Sequence, residues 1–227
     1  MSHIVIIGGH GQIALKLAPL LKERGDSVTS LIRNPEHAAD VEAAGARPVV
    51  VDVEHASTEE LTAALSGADA VVWSAGAGGK GGAQRTYAVD RDAAIRSMDA
   101  AHAAGVRRYV MVSFNGSRSP LQIPKDHPLY DYAVAKLAAD THLVGTELEW
   151  TILGPGTLSD EPAADTVRVT PLGEGVSPDT SRGTVAKVAA AVLDQPATIR
   201  RVIPFVDGST PITEAVADVP EEYSDIA

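Results

Sequence analysis

Tyr132 and Lys136 stand four positions apart in Tyr132-Ala133-Val134-Ala135-Lys136. Residues four apart share one face of a helix, so the phenol and the ammonium point into the same space. A cation beside a phenol favours the phenolate and lowers the pKa of the tyrosine. A tyrosine tuned this way donates a proton to a carbonyl oxygen while a hydride arrives at the carbon. The lysine is also placed to hydrogen-bond the ribose of a nicotinamide cofactor. Tyr130 lies six positions from Lys136 and falls off that face. A lone Tyr-x-x-x-Lys is an ordinary feature of helix surfaces, so its meaning depends on what surrounds it.

The N-terminus supplies that context. His3-Ile4-Val5-Ile6-Ile7-Gly8-Gly9-His10-Gly11-Gln12-Ile13-Ala14 is an apolar run, then a glycine turn, then the start of a helical pattern. A strand buried on both faces reads as such a run. Gly8 and Gly11 permit backbone angles and close approach that a Cβ forbids. The helix opening at Gln12 and Ile13 offers unpaired N–H groups and the positive end of its dipole. A diphosphate is the natural guest there, which makes this the dinucleotide-binding turn of a βαβ unit. The end of the second strand separates NAD from NADP. Thr29, Ser30, Leu31 and Ile32 carry no carboxylate for the ribose hydroxyls, and Arg33 follows at once. An arginine there clamps a 2′-phosphate, so NADP is favoured over NAD. The competing reading of Arg33 is a solvated loop side chain.

The elements needed to bring these groups together alternate along the chain. Strands are expected at Ser27 to Ile32, Pro48 to Val51, Ala70 to Trp73, Arg108 to Ser113 and Glu149 to Leu153. Helices are expected from about Gly11 to Arg24, Pro35 to Ala44, Arg85 to Ala104 and Leu129 to Val144, with a shorter one capped by Ser57 or Thr58. This order predicts an α/β fold, a doubly wound parallel sheet with ligands at the carboxyl ends of the strands. Residues 1–154 form the predicted cofactor-binding core. From Pro155 the texture turns Pro- and Gly-rich, predicting a small C-terminal substrate-side lobe over 155–220, integrated with the same domain, and a weakly ordered tail over 221–227. The low-complexity stretch Gly76 to Gly82 reads as a mobile loop beside the site.

Composition narrows the function classes. The chain has 227 residues, 44% hydrophobic and only 4% aromatic, so its core must be built from Val, Ile, Leu and Ala. A net charge of -11 argues against a nucleic-acid partner. There is no cysteine, which excludes thiol catalysis and thiolate metal sites. The seven histidines show no ligand-spaced pair, so no metal site is expected. No apolar run approaches membrane-spanning length, and a cytoplasmic protein without membrane partners is expected. No Gly-x-Ser-x-Gly elbow points to a serine hydrolase.

Taken together, Gly8-x-x-Gly11-x-x-Ala14, Tyr132/Lys136, Ala104 to Val110, Thr151-Ile152-Leu153-Gly154-Pro155-Gly156 and Thr180-Ser181-Arg182-Gly183 resemble the atypical short-chain dehydrogenase/reductases, small NAD(P)H-binding proteins of Rossmann fold. Flavin and biliverdin reductase-like proteins and NAD-dependent epimerase-like members belong nearby. The likeness runs from residue 3 to about residue 216. It implies that Asp52, in Val51-Asp52-Val53, meets the adenine edge; the competing reading is a turn or capping aspartate. It implies that Ser74-Ala75-Gly76 lets the middle of the cofactor lie close to the backbone. It also implies a catalytic hydroxyl after the fifth strand, at Ser113 or two positions later, where this chain has Asn115. An amide hydrogen-bonds a carbonyl but does not relay a proton as a hydroxyl does, which favours Ser113. Ala14 replaces a glycine frequent in the family, and Gly154 stands where the family often has arginine.

The expected function is an NADP(H)-dependent oxidoreductase passing a hydride to a small carbonyl, quinone or flavin-like substrate. Tyr132 is the expected proton donor and Lys136 the residue that orients the ribose. The alternatives are a binding protein that senses the NADP state without turnover, and a nucleotide-sugar epimerase or dehydratase. The expected partner is the small-molecule substrate alone, with a monomer as the default.

Overall fold

The computed structural model describes residues 1–171 and 179–226, without the side chain of residue 222. It opens with β1 (His3–Ile7), whose Ile4 and Ile6 face one side of the sheet while Val5 and Ile7 face the other. All four are buried, as a strand covered on both faces requires. The next elements are α1 (Gln12–Glu23), β2 (Ser27–Ile32), α2 (Ala38–Ala43), β3 (Arg47–Val50), α3 (Thr58–Leu65) and β4 (Ala70–Trp73). Ser57 caps α3, accepting from Glu60 N while the Glu60 carboxylate accepts from Ser57 N, a closed capping box.

Beyond β4 come α4 (Gly82–Thr86), a π-helical turn (Tyr87–Ala93) and α5 (Ala94–Ala103). Sequence periodicity predicts one long α-helix here, and the π turn divides it. The chain continues with β5 (Arg108–Val112), α6 (Tyr130–Val144), β6 (Glu149–Pro155), β7 (Thr157–Ser159), β8 (Thr166–Val169), β9 (Asp179–Ser181), α7 (Arg182–Leu193), β10 (Arg201–Asp207), β11 (Thr210–Pro211) and α8 (Ile212–Ala217).

Nine strands form one sheet in the order β3-β2-β1-β4-β5-β6-β10-β8-β11, parallel from β3 to β10 and antiparallel beyond. The chain builds outward from β1 to β3, then returns to lay β4 on the other side of β1. Strand order therefore reverses between β1 and β4, the place where open α/β sheets bind ligands. Helices α1, α7 and α8 cover one face and α3, α5 and α6 the other. Trp73, Tyr109 and Trp150 lie in the second core and Phe205 in the first.

At the opposite, amino end of the sheet, Arg108 is buried and donates to Glu149 O, Thr151 Oγ1, Val192 O and Thr198 Oγ1. Burial lowers its pKa to about 10. One guanidinium fork thus ties β5, β6 and the end of α7.

The C-terminal segment adds β10, β8 and β11 to the main sheet, while β7 and β9 pair separately. The predicted loose tail is corrected by the structure. Glu221–Ser224 form a 3-10 turn, Ile226 is buried, and Ile226 O accepts from Ser119 N. Residue 227 lies outside the described residues. Among the described residues, no helix is long and apolar enough to cross a membrane.

Candidate active site

The cleft lies at the carboxyl ends of β1, β2, β4 and β5. Its cradle is the turn after β1. Gly8 has a φ of +84°, and a Cβ there would sit 2.6 Å from Ala75 Cα. A Cβ on Gly9 would sit 2.3 Å from Ser30 Cβ. The turn is therefore wedged between the ends of β4 and β2, with no room for side chains. Gly11 caps α1 without any side-chain hydrogen bond, and the first turn of α1 holds no acidic residue. The N–H groups of Gln12 and Ile13 thus face the cleft beside a glycine floor, which fits the diphosphate of a dinucleotide.

Two cavities meet at this cradle and share Gly11, Ser74, Ala75 and Gly76. The smaller, about 380 Å³, contains Gly8, Arg33, Asp52 and Val53. The larger, about 600 Å³, contains Gln12, Ile13, Ser113, Tyr132 and Lys136. Every sequence-predicted cofactor residue therefore lines one cavity or the other. Arg33 is half exposed and lies 3.5 Å from Glu54, which also pairs with Arg85 at 3.0 Å. Asp52 plays a turn role as well: it accepts from Glu54 N at 3.1 Å and meets His55 Nδ1 at 3.0 Å. His10 stacks on His37 with ring centroids 3.6 Å apart, and its Nε2 meets Asp40 at 2.9 Å.

The two candidates after β5 separate. Ser113 lines the larger cavity, whereas Asn115 turns its Nδ2 onto Thr170 Oγ1 at 3.0 Å and is absent from the cavity wall. Gly154 is closely packed: a Cβ would lie 3.2 Å from Pro204 Cα and 3.4 Å from Asn115 Cα. A side chain at that position would press on its neighbours, and the only cations on the larger cavity's described wall are Lys136 and Arg182. Arg182 pairs with the exposed Asp160 at 3.0 Å.

The electrostatics correct one expectation. Lys136 does not lower the pKa of Tyr132. The lysine is buried and donates to Val112 O at 2.9 Å and to Met111 Sδ at 3.4 Å. Burial raises the Tyr132 pKa, and the charges of Asp90 and Asp140 raise it further. The phenol therefore stays protonated, its ring tilted against Phe114 at 5.3 Å.

Sequence reasoning passed over Gly9 and these two aspartates. Asp90 comes from the π turn, lines the larger cavity and accepts from Ala77 N at 3.1 Å. Asp140 lies one helical turn beyond Lys136, wholly buried, and accepts from the hydroxyls of Ser113 and Ser117. Burial raises both pKa values; Lys136 opposes the shift in each. The four-residue period that links Tyr132 to Lys136 continues to Asp140, and that was the available signal. Among the described residues, no group of three His, Cys, Asp or Glu side chains is placed to hold a metal ion.

Comparison with known proteins agrees with this geometry. Residues 8–196 match the model of an NAD(P)H-binding family. A Bacillus subtilis protein described as an uncharacterized sugar epimerase is 38% identical over 215 residues, which cover 94% of this chain and 98% of that one. A solved Bacillus halodurans structure, described as a candidate NAD-dependent epimerase/dehydratase, superposes with a TM-score of 0.88 at 33% identity, over 95% of this chain and 99% of that one. A Lactococcus lactis structure described as an oxidoreductase gives a TM-score of 0.83 at 29% identity, over 94% of each chain.

Proposed function

The chain belongs to this NAD(P)H-binding family of Rossmann-fold, short-chain dehydrogenase/reductase-like proteins, and from that premise we propose that it is an NADP(H)-dependent oxidoreductase acting on a small carbonyl, quinone or flavin-like substrate. One observation carries the reading: Tyr132, Ser113 and Lys136 line a cavity that shares its floor with the glycine cradle. Bound at that cradle, the reduced cofactor supplies a hydride.

The protein's own groups do the rest. The N–H groups opening α1 hold the diphosphate. Arg33 selects the 2′-phosphate, exchanging its contact with Glu54 for a doubly charged partner. Lys136 orients the ribose. Tyr132, kept neutral by burial, donates a hydrogen bond to the substrate oxygen, and Ser113 flanks it. Leu129 and Leu158, exposed large apolar side chains on the same cavity, suit an apolar substrate body.

The test is Tyr132→Phe with carbonyl and quinone substrates. Turnover should fall by roughly 10²-fold or more, the usual cost of one oxyanion donor, while NADP⁺ still binds. Unchanged turnover rejects the assignment. A second reading, epimerisation through a retained cofactor, is favoured by the descriptions of two relatives. It requires that cofactor remain bound through purification and that a sugar nucleotide be interconverted without net NADPH oxidation.

A further inference from the structure

Two carboxylates and one ammonium cluster at the cleft, Asp90 and Lys136 in its wall and Asp140 behind them. Asp140, Asp90 and Lys136 are 0%, 3% and 1% exposed. The lysine charge acts on both aspartates. With all three ionised, these groups carry a net charge of about −1, with Arg85 also acting on Asp90, and a single proton removes it.

The hydrogen bonds indicate where that proton sits. Asp90 Oδ2 accepts a backbone N–H from Ala77. Asp140 differs: both serine hydroxyls converge on Oδ2, while Oδ1 is buried with no partner. A carboxylate spreads its charge over both oxygens and needs donors on each. A carboxylic acid leaves its carbonyl oxygen with a much weaker demand. The bare Oδ1 matches the carbonyl oxygen of an acid. The state of Asp140 also decides what Ser113 can do. Facing a carboxylate, Ser113 gives its only hydrogen to Oδ2. Facing the acid, it accepts from Oδ2–H, and its own hydrogen turns toward the cleft that it lines.

We propose that Asp140 is held as a carboxylic acid and, through Ser113, supplies the proton taken up by the substrate oxygen. This rests on the carbonyl-reduction reading. A dihydronicotinamide is the reductant, and its hydride brings two electrons to the carbonyl carbon as the C=O π pair moves to oxygen. The Ser113 O–H bond breaks as the substrate O–H bond forms. The Asp140 O–H bond breaks as the serine hydroxyl is restored. The products are the alcohol, the oxidised nicotinamide and an Asp140 carboxylate beside Lys136, which a proton from water resets. Asp140 is a positioning residue that works through Ser113. Around it stand Ser113 and Ser117 from the segment after β5, Lys136 on its own helix, Asp90 sharing that lysine, and Tyr109 and Tyr132, whose pKa values its ionisation would raise.

The first measurement uses the full chain without cofactor and with ¹³C-labelled aspartate. The infrared spectrum at neutral pH should show a carboxylic-acid carbonyl stretch that is lost in Asp140→Asn and kept in Ser113→Ala. No such band in the wild type, or one that survives in Asp140→Asn, overturns the proposal. In turnover with NADPH and a carbonyl compound, both variants should lose about 100-fold in kcat with KM little changed. Wild-type kcat in either variant overturns the relay. If the wild type reduces no carbonyl compound, the reduction reading fails and the relay with it, whereas the stored proton stands or falls on the band.

Discussion

Gly9→Ala probes the cradle directly. Gly9 needs no unusual backbone angle, so the cost of a methyl group there is steric. The added Cβ would lie 2.3 Å from Ser30 Cβ, 2.8 Å from its Oγ and 2.9 Å from its Cα. Ordinary carbon contacts lie near 3.5–4.0 Å, so the turn and the end of β2 must part by more than about 1 Å. Overpacking of this kind costs about 1–3 kcal/mol. For a chain of this length each kcal/mol lowers Tm by roughly 2–4 °C, so a cost near 2 kcal/mol gives a fall of about 4–8 °C. Ser30→Gly alone should cost up to about 1 kcal/mol in strand propensity. It also removes the clashing Cβ and a buried hydroxyl that has no partner. The double variant should therefore be more stable than the sum of the singles by about 1 kcal/mol or more. Urea melts of the four proteins, with NADP⁺ titrations alongside, measure this cycle. Strict additivity, or a Gly9→Ala protein that melts with the wild type, would refute the wedge.

Three further outcomes follow from the geometry. Arg33→Ala should weaken NADP⁺ binding by about tenfold and leave NAD⁺ binding unchanged, read by fluorescence titration; equal losses for both cofactors count against a 2′-phosphate clamp. Burial raises the Asp90 pKa, so between its unfolded and folded values the native state binds more protons and stability falls as pH rises. The urea midpoint of the wild type relative to Asp90→Asn should thus be highest at acid pH and shrink as pH rises through the folded pKa; a growing lead contradicts the sign. Arg108→Met removes four donated hydrogen bonds from a buried site, and should cost about 2 kcal/mol in urea unfolding with NADP⁺ affinity of the folded protein preserved.

The parallel core was legible because burial on both faces leaves a plain mark. Ile4 to Ile7 and Ala70 to Trp73 are unbroken apolar runs bounded by turn residues. Gly8, Gly11 and the Tyr132/Lys136 pair were legible because each depends on local spacing. What depends on long-range packing was not. Gly9 is needed because of Ser30 on another strand, and Gly154 packs tightly against Pro204 and Asn115. The lowering of the Tyr132 pKa expected from a nearby cation fails because burial raises it first, and Asp90 and Asp140 act on the same phenol. Glu221 to Ala227 reads as a weakly ordered tail, yet Ile226 is buried in the core and Tyr223 donates to Thr170 O.

The π turn at Tyr87–Ala93 has a consequence for how such a cleft can change over generations. It carries one residue more than an α-helix would need, and one residue corresponds to about 100° of rotation. On one side of it, Ala94 and Met98 of α5 are seated in the core. On the other, Gly82, Ala83 and Thr86 of α4 face the cleft. Deleting a single residue within the turn would rewind it as α-helix and swing α4 and Asp90 to new bearings while α5 kept its seat. Loss of a codon inside a helix ordinarily ruins a core; here Val89 and Ala93 are the core side chains of the turn that would have to be reseated, so the lining of the cleft can be redrawn at that local cost.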